Sequence, residues 1–81
     1  MPTDPVQRVL RMKLDNLPIS IRELARRSGL SHVLLVRARD GHERLSPAAV
    51  AKVVRALREM GAELESVADA LEGASKERGD Q

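Results

Sequence analysis

With 81 residues, 42% of them hydrophobic, the chain has room for one domain with a small core. Phe, Tyr, Trp and Cys are all absent, so the core must be aliphatic, and neither a disulfide framework nor a thiolate metal site is available. The net charge of +2 conceals an asymmetry: residues 1–58 carry twelve Lys/Arg against five Asp/Glu, and residues 59–81 two against seven, a basic body suited to a polyanion with an acidic end suited to solvation or a partner.

Asp4 followed by Pro5 is a helix-start signal, with the aspartate as N-cap and the proline at the first helical position. Val6, Val9, Leu10, Leu14 and Leu17 then recur at helical spacing. This predicts a first helix ending before Pro18, which disfavours helix at Leu17. Ser20 and Glu23 have the spacing of a capping box. A second helix follows, with Ile21, Leu24 and Ala25 as its inner stripe and Gly29 as its end. Ser31 can cap a third helix that runs to about Arg39 and is closed by Asp40-Gly41. Residues 41–46 read as a polar loop.

Ser46-Pro47 repeats the cap-then-proline signal, and Val50, Val53, Val54, Leu57 and Met60 mark the buried stripe of a fourth helix terminated by Gly61. Leu64, Val67, Ala68 and Leu71 predict a weaker fifth helix stopped by Gly73. Residues 74–81 are polar enough to be expected as a disordered tail, leaving a single domain over 1–73. No apolar run approaches the roughly 18 residues needed to span a bilayer. The start of the chain lacks a basic region followed by an apolar one, so no signal peptide is expected and the cytoplasm is the expected compartment.

Two short capped helices joined by a glycine turn form a helix-turn-helix pattern, whose second helix commonly enters the DNA major groove. From about Ile19 to Leu57 the chain resembles the Cro/C1-type (Xre-like) helix-turn-helix family of phage and bacterial repressors. The matching residues are Leu24-Ala25, Gly29-Leu30-Ser31, Leu35, Ala38, Gly41, and Val50, Val53, Val54 and Leu57. The chain departs from the family at Ile21, where Gln is frequent, at Arg39, where Glu is frequent, and at Pro47, which lies a little later than the family's loop proline. The resemblance implies an all-α, lambda-repressor-like compact bundle of four to five short helices. It also implies a sequence-specific transcriptional regulator, a dimeric repressor of double-stranded DNA.

By that resemblance the base-reading positions fall on His32, Val33 and Arg37, with Val36 beside them. Arg37 has the fork for a bidentate contact to guanine, and Val33 and Val36 suit thymine methyl groups. Phosphate contacts are expected from Ser20, Arg22, Ser31, Arg39, His42 and Arg44, since hydroxyls, cations and helix N-termini supply them. A homodimer is expected to pair through Met60, Leu64, Val67 and Leu71, unless that stripe folds back on its own core.

No cofactor is expected, and the ten-residue separation of His32 and His42 is not a metal-ligand spacing. With two His residues and no Cys or Tyr, an enzyme is not expected. The rival reading is a protein-interaction module on the same fold, such as an antitoxin whose acidic end occupies a toxin or other partner protein. The apolar third helix, with Val33, Leu34 and Val36 beside Leu35, is its main support.

Overall fold

A computed structural model describes residues 4–80 of the chain. They form an all-α bundle of α1 (Pro5–Lys13), α2 (Ile21–Ser28), α3 (His32–Arg39), α4 (Pro47–Glu59) and α5 (Glu65–Glu77). Short 3₁₀ turns at Leu14–Asn16 and Ala62–Leu64 follow α1 and precede α5. No helix among these residues is long and apolar enough to cross a membrane.

Each of the first four helices starts at a polar cap. The Asp4 carboxylate accepts from the Val6 N–H at 3.0 Å with Pro5 at the first position, and the Ser46 hydroxyl accepts from the Ala49 N–H at 3.1 Å. Ser20 accepts from the Glu23 N–H at 3.0 Å, which satisfies an otherwise orphaned donor of the first turn. The capping box is only half made, however. The Glu23 carboxylate turns away to accept from Arg26 and Arg27. A charged partner outbids a backbone N–H that water can still reach.

Two helix ends share one device. At Gly29 (φ +76°) the Leu30 N–H bonds back to the Ala25 carbonyl at 3.0 Å; at Gly41 (φ +85°) the His42 N–H bonds back to Arg37 at 2.8 Å. Both are Schellman closures, which need a left-handed residue and so favour glycine.

α4 is the central support. It packs against α5 and α2, α1 packs against α5 and α3, and α3 packs against α2 and α1. The core is Leu, Val and Ala throughout, with Leu24, Leu35, Val53, Leu57 and Ala68 fully buried. Leu45 is also buried, although it lies in the segment expected to be a polar loop. It anchors the 41–46 connection into the same core.

As expected, the first helix ends before Pro18: α1 stops at Lys13, and the chain tightens into the 3₁₀ turn before Leu17 goes extended ahead of Pro18. The structure corrects the expected end of α5 and the expected dimer stripe. Gly73 does not stop α5. It sits inside a helix that continues to Glu77, because Ala74 just beyond it is buried against the core. The helix ends instead at Gly79 (φ +97°), where the Asp80 N–H bonds back to the Ser75 carbonyl at 3.0 Å. Residues 74–80 are therefore packed structure rather than a disordered tail; Gln81 lies outside the described residues. Finally, Leu64 and Leu71 are buried in the chain's own core, and Val67 and Met60 pack half-buried against it. The fifth-helix stripe has folded back on the monomer, so Leu64 and Leu71 offer no dimer surface.

Candidate nucleic-acid interface

α2 and α3 are joined by only three residues, Gly29–Ser31, so the Gly29 closure sets the angle at which α3 leaves. The Ser31 hydroxyl accepts from both the Val33 and Leu34 N–H groups, at 3.1 and 3.3 Å, and fixes the first turn of α3. Leu35 and Ala38 bury the inner side. With that side anchored, helical geometry aims His32, Val33, Val36 and Arg37 outward. Val33 is 61% exposed, Arg37 is about half exposed, and His32 and Val36 are half-buried.

The cations divide sharply between engaged and open. The Arg37 Nε lies 3.8 Å from Glu43 Oε1, a loose pair beyond hydrogen-bond reach. Arg39, two residues on, is engaged through two of its three nitrogens: Nη1 donates to Asp15 at 2.9 Å and Nε to Asp40 at 3.0 Å, and its side chain is only 22% exposed. Its backbone carbonyl also accepts from the Gln7 amide at 2.7 Å, tying α3 to α1. The hydrogen bond from Arg39 holds the Asp40 carboxyl below its ordinary range, helped by the charges of Arg39, His42 and Arg11. Arg39 is thus a strut between α3 and the end of α1, and is less open to an outside anion than Arg37.

The remaining phosphate candidates are differently placed. Ser20 and Ser31 are exposed at the N-termini of α2 and α3, with their oxygens occupied as caps and their hydroxyl protons still available to donate. Arg22, in the first turn of α2, is exposed and makes no ion pair among the described residues. His42 and Arg44 are exposed on the connection leaving α3. The Arg44 charge also acts on Asp80, beyond the end of α5. Arg11, which the sequence pattern did not single out, acts electrostatically on Asp40 at the end of α3. The four outward residues of α3 form one face; Leu64 and Leu71 belong to the core and take no part in it.

The acidic end of the chain is mostly spent on internal pairing. The Arg58 guanidinium donates to Asp69 at 2.8 Å and to Glu72 at 3.2 and 3.3 Å, with Glu65 at 3.6 Å, clamping α4 to α5. These bonds push the Arg58 pKa up and hold the Glu72 carboxyl down. Arg78, with a side chain only 3% exposed, bridges Asp4 at 3.0 Å and Asp80. The Ser75 hydroxyl also donates to Asp80 at 2.7 Å. The bonds from Arg78 and then Ser75 hold the Asp80 carboxyl below its ordinary range. Neither arginine could be recognised as a clamp from local spacing, since their partners lie up to 74 residues away.

No protein-family model, curated protein or solved structure matches the chain.

Proposed function

We propose that this protein binds double-stranded DNA as a transcriptional regulator, a repressor of the Cro/C1-type helix-turn-helix kind, by setting α3 into the major groove. The observation that carries the reading is the α2–Gly29–α3 unit. Two capped helices are joined by three residues, the second being buried on one side and carrying Arg37, Val33, Val36 and His32 on the other. In such a unit base edges are read by the outward side chains, while exposed helix N-termini and cations hold the phosphates. Arg37 is the principal base reader and Arg22, Ser20, Ser31 and His42 are the phosphate contacts; Arg44 contributes at the margin. A dimer on a two-fold operator belongs to the proposal, with a contact surface that excludes Leu64 and Leu71.

The test is fluorescence anisotropy with the duplex upstream of the protein's own gene and a scrambled duplex, over a salt series. Arg37→Ala should weaken the specific duplex by about 1–3 kcal/mol and leave scrambled binding nearly unchanged. Equal, steeply salt-dependent binding to both would reduce the function to a basic surface.

A second reading is favoured by one specific observation. Val33 is among the most exposed large apolar side chains of the described residues, which suits a protein partner as well as a base methyl group. Under that reading the protein is an antitoxin-like module and α3 docks a partner protein. Absence of binding to any duplex at low salt would favour it.

A further inference from the structure

Resting on the assignment of α3 to the major groove, we propose that Arg37 and Val33 together recognise a guanine whose neighbouring pyrimidine carries a C5 methyl group, thymine and 5-methylcytosine alike. Val33 and Arg37 are four residues apart, so they are neighbours on one face of the helix, about 5–6 Å between their Cβ atoms. That separation lets the two side chains address adjacent base steps, which are about 3.4 Å apart along a strand.

The chemistry of the two positions is complementary. Val33 is 61% exposed and has no donor or acceptor, and the C5 methyl is the feature of the major-groove floor that such a side chain fits. Arg37 meets Glu43 through Nε at 3.8 Å. The pair sits at the base of the fork, so both terminal nitrogens remain for guanine O6 and N7. Val33 has no polar atom, so at the base it faces it does not itself distinguish O4 of thymine from the N4 amino group of cytosine. What remains to be sensed is the methyl group. Methylation of a cytosine beside the guanine then strengthens that step modestly.

The experiment is selection from a pool of random duplexes with the full chain, followed by remaking the best duplex with the pyrimidine beside the guanine changed. Thymine against uracil, both opposite adenine, and 5-methylcytosine against cytosine, both opposite guanine, differ by the methyl alone. The methylated member of each pair should bind about three- to fivefold more tightly, the worth of one buried methyl group. Val33→Ala, an exposed and structurally neutral change, should abolish both differences. Equal affinities within each pair, with guanine still selected and still dependent on Arg37, would overturn the proposal and leave the DNA reading standing. A pool that yields no enriched sequence would overturn both.

Discussion

Arg37 and Arg39 lie two residues apart on α3 and have opposite fates. Arg39 is tied to Asp15 and Asp40 and carries the Gln7 contact on its backbone, whereas Arg37 has only the loose Glu43 partner. Arg39→Ala should therefore leave affinity for a specific duplex nearly unchanged where Arg37→Ala reduces it, a contrast that paired anisotropy titrations would reveal. Leu45 makes a different kind of residue-scale point. It is buried within a connection whose other members are exposed. Leu45→Ala should cost about 2–4 kcal/mol in urea unfolding, the penalty of an unfilled core site. An effect below about 1 kcal/mol would mean the connection collapses onto the space. Arg78 is the third case. With its side chain 3% exposed between Asp4 and Asp80, Arg78→Ala should lower stability by about 2 kcal/mol, below the range for fully buried pairs because both partners retain some solvent.

At the scale of the element, glycine position decides where helices end. Gly29 has φ +76° and closes α2, so Gly29→Ala should destabilise by about 1 kcal/mol through the left-handed strain of an L-residue. Gly73 is helical and exposed, and an added Cβ there would meet nothing within 4 Å. Gly73→Ala should stabilise by about 0.5–1 kcal/mol, chiefly by restricting the unfolded chain. Opposite signs for these two substitutions in thermal denaturation would establish that α5 passes through Gly73; destabilisation by both would restore the earlier helix end. The apolar stripe of α5 is also explained at this scale. Its residues repeat as an amphipathic helix must, and periodicity alone does not say whether the partner is the same chain or another copy. α4 supplies the partner, with Arg58 clamping the polar margin.

At the scale of the whole molecule, charge pairing joins the two ends of the chain. Asp4 caps α1 with one carboxylate oxygen and accepts from Arg78 with the other. Asp80, Glu72, Asp40 and Glu23 all have carboxyls held below their ordinary values by arginine hydrogen bonds. A lowered folded-state pKa contributes stability that is fully present above the unfolded value and is lost as the pH falls through the folded one. Stability should therefore hold from neutral pH down to the ordinary carboxylate values, 3.8 for Asp and 4.5 for Glu, and decline below them. Chemical denaturation followed by circular dichroism across that range measures the slope. Arg78→Ala should remove the part owed to Asp80; an unchanged slope would mean the clasp does not form in solution.

What the sequence by itself determined is the set of local decisions. Ser20, Ser31, Ser46 and Asp4 cap their helices, Gly29, Gly41 and Gly61 end theirs, and Leu35 and Ala38 face inward. These depend on residues a few positions apart, where backbone sterics and nearby hydrogen bonds suffice. The outward face of α3 was legible for the same reason, as the complement of its buried side. The tertiary structure alone decided which cations are open, where the stripe of α5 goes, how far α5 runs, and that Leu45 is core. Arg37 and Arg39 look alike in sequence and differ only in what folding brings beside them. Helix runs on past Gly73 because Ala74 finds core to bury against, and Arg78 is a clasp because Asp4 arrives from 74 residues away. Burial and ion pairing are properties of neighbours in space, and the neighbours that decide these cases come from other helices.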